Sequence, residues 1–337
     1  MRVLHGMSEV AGQNYYSVKG LKELGVNAKS AVWRKNSFGY PIEYSINIGY
    51  KKICYPWYAI KIIIFFIKAV FSFDCFHFHY GNSLLPYNMD LWLLKLLKKK
   101  IFFEFHGSEL RGKLAKIQYQ YYDPGETTSK FKQRALLRIA KYADGFILHD
   151  KELLPHLPNC NVPVYIVPLR VDINQFLSSS LYTENAKPLI VHAPSRRSTK
   201  GTIYLLNSLE LVKAPYELVL VEGVTQEKAF ELYKKADLVF DQISVGTYGV
   251  FAIEAMALGK PVMTYISDEM LNAFPKTLPI VNVNPDNLHE KIENLLNDAK
   301  LRYDIGTRSR EYAKQQHDYL KNAKLLKDIY EGNKNYV

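Results

Sequence analysis

Residues 188–221 read PLIVHAPSRRSTKGTIYLLNSLELVKAPYELVLV. An apolar run, Pro188–His192, ends in a turn rich in cations. A helical stretch near 201–212 follows, and then a second apolar run, Glu217–Val221. Strand, helix and strand in that order predict a parallel pair joined by a right-handed crossover. The same alternation extends in both directions. Downstream, strands are expected at Asp237–Asp241 and Pro261–Tyr265, separated by helices near 226–236 and 250–258. Upstream, strands are expected at Arg2–Met7, Asn27–Trp33, Cys75–Tyr80, Ile101–Phe105 and Gly145–His149. Helical stretches such as Gly12–Leu24 and Lys130–Tyr142 lie among them. The pattern restarts near residue 187, after a stretch that contains the run SSS and no periodicity. Two doubly wound α/β domains are therefore expected, 1–172 and 188–310, with 173–187 as linker. After Asp286 the chain reads as helical to its end, so 311–337 is expected as a C-terminal helix.

Composition limits the function classes. A chain of 337 residues that is 48% hydrophobic can bury two cores and is no disordered segment. Cys54, Cys75 and Cys160 are scattered and odd in number, so they build neither a disulfide framework nor a zinc site. A reducing cytoplasm is the expected compartment. The opening MRVLHGMSEV has no apolar run behind Arg2 and does not read as a signal peptide. Net charge is +11, and its excess is confined to one half. Residues 1–170 carry 24 Lys+Arg against 12 Asp+Glu, whereas 171–337 carry 20 against 21. That asymmetry suits an anionic partner, and a lysine-rich solvated surface accounts for it about as well. The apolar segment 57–73, WYAIKIIIFFIKAVFSF, is interrupted by Lys61 and Lys68, leaving six consecutive apolar residues. Spanning a bilayer takes about 20, so this segment is expected to be a core-packed or interfacial helix.

Ligands of open α/β sheets gather at the carboxyl ends of the strands, so the residues after each strand carry the chemistry. After Pro188–His192, three cations (Arg196, Arg197, Lys200) precede Gly201 at a helix start, which predicts a diphosphate site, with a solvated basic turn as the alternative. In GTYGVFAIEAMALGKPV, residues 246–262, Glu254 has Val250, Phe251, Ala257 and Leu258 as helical neighbours. A carboxylate there costs several kcal/mol unless it finds donors, and the hydroxyl pair of a ligand would supply contacts. Gly246 and Gly249 let backbone N–H groups approach that ligand. FEFHGSELR, residues 103–111, places His106 at a strand end with Ser108, Glu109 and Arg111, a setting for binding or proton chemistry. His77 and His79 in FHFHY share one side of a strand. They could ligate a metal, but no third ligand is indicated, and strand packing is the expected role. The first turn, GMSEVAGQNYY, offers Gly12 and its adjacent N–H groups to a substrate. Walker, H-E-x-x-H, nucleophile-elbow and D-x-D patterns are missing.

HAPS-x5-KGT, ADLVFDQ and GTYGVFAIEAMALGKPV resemble the donor half of family-4-like (group 1) glycosyltransferases of the GT-B fold. FHFHYGNSLLP, FEFHGSELR and VPLRVDINQF are similar to segments of the acceptor half in envelope-polysaccharide members. The match covers roughly residues 1–310. It implies retaining, metal-independent transfer of a sugar from a nucleotide diphosphate sugar to a saccharide or lipid-linked acceptor, with no cofactor. It also implies two domains closing over a cleft and a C-terminal helix returning to the first. By this resemblance, Lys200 is the phosphate-binding lysine and Arg196 or Arg197 its partner. Gly249 and Val250 line the donor site and Glu254 holds the ribose hydroxyls. His106 lies near the reacting sugar, with Glu109 and Arg111 beside it, while Gly12 and Gln13 meet the acceptor. One position departs from the pattern: Gly246 stands where the first glutamate of E-x7-E contacts the donor sugar. Asp241, Gln242 or Tyr248 could fill that space. The basic first half is then expected to dock on anionic lipid through Lys51, Lys52, Lys61, Lys68 and Lys98–Lys100, making the protein cytoplasmic and peripheral on the membrane. Competing expectations are a non-catalytic protein of the same fold, or a sugar-nucleotide epimerase. Nucleic-acid binding is disfavoured because the aromatics follow apolar patterns and not exposed stacking arrays.

Overall fold

The computed structural model describes residues 1–35, 39–111, 121, 130–177, 181, 185 and 187–333. The chain divides into two compact units. The first comprises Met1–Gly112, Thr127–Arg170 and Tyr319–Val337, and the second Lys113–Glu126 and Val171–Asp318.

The first unit holds β1 (Arg2–Gly6), α1 (Gln13–Glu23), β2 (Asn27–Val32), β3 (Tyr44–Ser45), α2 (Tyr55–Ser72), β4 (Cys75–His79) and α3 (Leu91–Leu96). It continues with β5 (Lys100–Glu104), α4 (Lys130–Tyr142), β6 (Gly145–Leu148) and β7 (Val164–Ile166). Its seven strands run parallel in the order β3-β2-β1-β4-β5-β6-β7. The order reverses between β1 and β4, the position at which doubly wound sheets open a crevice. Phe76, Phe78, Phe103, Phe105 and Phe146 fill the core on one face.

The second unit holds β8 (Leu189–His192), α5 (Arg197–Lys200), α6 (Thr202–Leu209), β9 (Glu217–Leu220), α7 (Gln226–Lys235) and β10 (Leu238–Phe240). Then come α8 (Val250–Ala257), β11 (Val262–Thr264), α9 (Asp268–Ala273), β12 (Val281–Asn282), α10 (Leu288–Asn297) and α11 (Ala299–His317). Its five parallel strands follow the order β12-β11-β10-β8-β9, which reverses between β8 and β10. Both units are thus parallel α/β sheets wound in both directions, as expected.

The structure differs from the sequence-based expectations in several places. Strands β3, β7 and β12 are only two or three residues long, too short for periodicity to reveal. The expected linker 173–187 is packed where it is described: Ile173 and Phe176 are buried, and Phe176 meets Phe230 edge-on. The C-terminal stretch is two helices. α11 stops at His317, and α12 (Tyr319–Glu331) belongs to the first unit. There α12 packs on α1, where a Cβ on Gly20 would stand 2.5 Å from Ala323 Cβ. It adds Ala323, Leu326, Ile329 and Tyr330 to a core with Val3, Val18, Leu21 and Cys75.

Helix α2 buries only Phe65, Ala69 and Val70. Trp57, Ile64 and Phe71 are 58%, 61% and 78% exposed, and Ile53, Ile60, Ile63 and Ile67 are exposed beside them. This outcome removes the core-packed alternative. By length and composition, the stretch Lys52–Ser72 is also long and apolar enough to cross a membrane.

Candidate functional site

In the second unit, the carboxyl ends of β8 and β10 carry the cationic turn and Asp241. Lys200, on α5, places Nζ 2.8 Å from Asp241 Oδ1. Asp241 Oδ2 accepts from the Gly249 N–H at 3.1 Å. The lysine is 22% exposed and the aspartate fully buried, so the ammonium bridges a buried carboxylate to the surface. Gly249 caps α8, and a Cβ there would lie 3.8 Å from Lys200 Nζ. The ammonium therefore faces the start of the helix that carries Val250 and Glu254. Arg197 forms a bidentate pair with Glu222, both exposed. Arg196 has no ion pair among the described residues and is exposed. Arg197 is thus paired at the surface, whereas Arg196 has no such partner among the described residues.

Glu254 is 9% exposed and its carboxyl meets no hydrogen-bond partner among the described residues. Burial pushes its pKa up to about 8, so at neutral pH it is a neutral acid that can donate as well as accept. Gly246 has φ +42, and a Cβ there would approach Ser267 Cβ to 2.9 Å. No side chain fits that backbone unstrained, so the departure from the glutamate pattern is built into the loop. Two residues expected as sugar contacts have hydrogen-bond partners within the second unit. Tyr248 is buried, with its hydroxyl 3.0 Å from His317 Nε2 and 3.2 Å from the Tyr312 hydroxyl. Asp241 is held by Lys200. Gln242 is a loop staple, its Oε1 accepting from the N–H groups of Ser244 and Val245.

In the first unit, His106 follows β5. Its Nε2 lies 3.1 Å from His79 Nδ1, and its Nδ1 lies 2.9 Å from His149 Nε2. Both ring nitrogens are thus already engaged. Burial holds its pKa well below the ordinary histidine value, His149 lowering it further and Glu104 opposing. Glu109 accepts from the His106 N–H, and burial raises its pKa to about 6. Arg111 donates to both carboxylate oxygens of Glu152, at 2.8 and 2.6 Å. Gln13 is fully buried and brackets Arg170, accepting from its N–H and donating to its carbonyl. Gly12 has φ +83, but ring atoms of Tyr16 and Tyr40 lie 2.8–2.9 Å from where its Cβ would be. These last three residues therefore position the scaffold.

Two features escaped the sequence reading. A cavity of about 570 Å³ opens at the carboxyl ends of β1 and β2, lined by Met7, Glu9, Trp33, Arg34, Ile62 and Asn82 among others. Burial raises the Glu9 pKa to about 7, and its Oε1 is buried without a partner among the described residues. The second feature is a cluster around Glu104, in which His5, His77 and His79 join His106 and His149. Ligand atoms of His5, His77 and His79 lie within 4.8 Å of one another, as do those of His79, Glu104 and His106. That spacing suits a metal ion, but the guanidinium of fully buried Arg170 is already bonded to the carboxylate. A second cation beside it would be poorly compensated. The five histidines come from β1, from β4 (His77 and His79) and from the ends of β5 and β6, so only the sheet brings them together.

Comparison with known proteins follows the same division. Residues 217–312 match the family of glycosyl transferases group 1. A search of curated proteins finds no match to the sequence. Among solved structures, a sucrose-phosphate synthase from Thermosynechococcus elongatus superposes with a TM-score of 0.69 at 15% identity, covering 98% of both chains. Anabaena HepE, in complex with UDP and glucose, gives 0.68 at 13% identity, covering 98% of this chain and 100% of its own. A glycosyltransferase from Rickettsia africae gives 0.66 at 16% identity, covering 99% of this chain and 98% of its own. At such identities the likeness is one of fold. With its two parallel α/β units the chain has the GT-B fold, and by the group 1 domain at residues 217–312 it is a glycosyltransferase.

Proposed function

We propose that this chain transfers a sugar from a nucleotide diphosphate sugar to a saccharide or lipid-linked acceptor of cell-surface polysaccharide, without a metal ion and with retention. One observation supports the donor reading most strongly. The Lys200 ammonium faces Gly249, which caps the helix that carries Glu254, a buried carboxyl with no described partner. Lys200 and Arg196 would offset charge on the diphosphate, helped by the N–H groups at the start of α8. Glu254 would exchange its neutral-acid state for hydrogen bonds to ribose hydroxyls. In the reaction the anomeric C–O bond breaks with its electron pair leaving on the diphosphate, and the acceptor oxygen forms the new bond. Retention is supported only by the sequence resemblance, and it implies attack from the leaving-group face. With Gly246 in place of a glutamate, the donor sugar is contacted differently from the family pattern.

The acceptor fits the first unit. The cavity beside Glu9 combines Trp33, two cations (Arg34 and Lys35) and apolar Ile48 and Ile62. Ile62 lies on α2, whose exposed apolar face and Lys61 and Lys68 suit the surface of an anionic membrane. Each well-placed cation adds about 1 kcal/mol. A flat orientation is favoured because burying each lysine at the bilayer centre costs about 2.5–3.5 kcal/mol.

Titration with UDP-, GDP- and ADP-sugars, with a CMP-sugar as monophosphate control, tests the donor reading by thermal shift. One nucleotide class should stabilise the wild type, by about 2.7 kcal/mol at a hundredfold excess over Kd, and Glu254→Ala should abolish the effect. No shift with any of them would move the conclusion to a non-catalytic protein of this fold.

A further inference from the structure

Helices α2, α3 and α4 cover one side of the first unit's sheet. Their inward residues, among them Phe65, Ala69, Leu91, Leu94 and Ile139, share one core with the strands. Their outward residues break the usual pattern of a solvated surface. On α2, Trp57, Ile60, Ile64, Ile67 and Phe71 are all exposed and follow one another at steps of three and four residues. Such steps align them as one stripe, on the side of the helix away from Phe65 and Ala69. Helix α3 repeats the arrangement. Leu91 and Leu94 are fully buried, whereas Trp92 is 55% and Leu96 68% exposed, and Leu97 is exposed just after the helix. Trp92 and Leu96 are one helical turn apart and share a face. The two helices are tied at their carboxyl ends, where Lys99 Nζ donates to the Phe73 carbonyl at 2.8 Å. Exposed apolar residues are ordinarily scattered singly. Here two helices on one core each expose an apolar stripe.

The charges around the stripes name the occupant. The only acids in residues 51–100 are Asp74 and Asp90. Asp74 is paired with Arg2. Asp90 is buried and accepts from the N–H groups of Leu84 and Leu85. Exposed cations flank both helices: Lys51, Lys52 and Lys68 at α2, and Lys98 after α3. Lys95 is paired with Asp144. A second copy of the chain, laid stripe on stripe, would bring Lys61 and Lys68 of both copies to the edges of one contact. No acid on α2 could pair them. An anionic lipid surface supplies the opposite charge, with an apolar phase beneath it.

We propose that α3 joins α2 as a second membrane-contacting helix, with Trp92 and Leu96 entering the headgroup boundary of an anionic bilayer beside the α2 stripe. The role of α3 rests on the membrane reading of α2 given above and adds a second line of contact to it. One helix can roll about its axis on a surface, whereas two fixed to one sheet cannot. The pair therefore sets which face of the first unit meets the bilayer. Ile62 lines the cavity at the carboxyl ends of β1 and β2, while the next residues, Ile63 and Ile64, are exposed. The cavity consequently lies at the margin of the contact, within reach of an acceptor whose apolar part stays in the lipid.

The tryptophans of the chain are Trp33 in the cavity wall, Trp57 on α2 and Trp92 on α3, so each can report separately. Three variants, each keeping one tryptophan and carrying phenylalanine at the other two positions, are bound to phosphatidylglycerol vesicles with and without brominated acyl chains. Trp57 and Trp92 should both be quenched, with a blue shift on binding, and Trp33 should not. In the otherwise intact chain, Trp92→Ser together with Leu96→Ser should lower flotation with phosphatidylglycerol vesicles about tenfold or more. Without vesicles the thermal midpoint should stay in place, because both side chains are exposed. Quenching of Trp57 without Trp92 would overturn the role of α3 and spare that of α2. Quenching of neither would remove both. Trp33 quenched as strongly as the others would also overturn the proposal, since the contact would not be confined to this face. So would equal flotation with phosphatidylcholine vesicles, or a stable dimer that the paired serine substitutions dissociate. The nucleotide-sugar titration is read without vesicles, so its failure is distinct from any of these.

Discussion

At the scale of single residues, Glu254 makes the sharpest statement. Its folded pKa of about 8 lies above the ordinary 4.5, so the folded state favours the protonated acid. The favourable contribution is whole below the ordinary value and is lost as pH rises from there toward 8. Glu254→Gln removes the titration. Relative to wild type, it should gain stability on the order of 1–3 kcal/mol at pH 8 and little at pH 5. Thermal melts at the two pH values check this, and an equal shift at both would count against a buried acid. Gly246→Glu restores the family's residue on paper, but φ +42 and Ser267 oppose it. It should cost about 1–3 kcal/mol, read as a lowered midpoint in urea. Lys200→Met strands buried Asp241 with only the Gly249 N–H, and a loss of about 2–4 kcal/mol is expected. Asp241→Asn in the same background should recover part of that loss.

At the scale of elements, α2 separates stability from binding. Ile63 and Ile64 are exposed, so replacing both with serine should change unfolding by no more than about 0.5 kcal/mol. Flotation with phosphatidylglycerol vesicles should fall at least tenfold, since each buried isoleucine contributes about 1.5–3 kcal/mol. Binding that ignores both the substitution and added salt would exclude this helix as the contact. The same scale shows what was legible in the sequence. Nine strands and most helices announced themselves, because parallel strands buried on both faces read as unbroken apolar runs. β3, β7 and β12 did not, being short strands at sheet edges with partly exposed residues. The cationic turn and Glu254 were legible because their neighbours in sequence are also their neighbours in space. The cluster around Glu104 was hidden for the opposite reason. His5 and His79 are 74 positions apart, and His5 and Tyr330 are 325 apart. Local spacing also said nothing of which polar groups were already committed, such as Arg111 to Glu152 or Tyr248 to His317.

At the scale of the whole molecule, the first unit is discontinuous and the second nearly continuous. α12 is made only after the last residue of the second unit, yet it supplies Tyr330, Leu326 and Ala323 to a core that begins at Val3. The core of the first unit therefore cannot be complete until α12 has been made. While a ribosome is still translating, the first unit has all its strands but an open apolar groove on α1, and the second unit can close first. Pulse proteolysis of chains stalled just after Asp318 has emerged should find residues 171–318 protected and residues 1–112 still cleaved. The core of the first unit is thus completed only after residues 171–318 have been made, and until then a nascent chain presents to chaperones the face that α12 will cover.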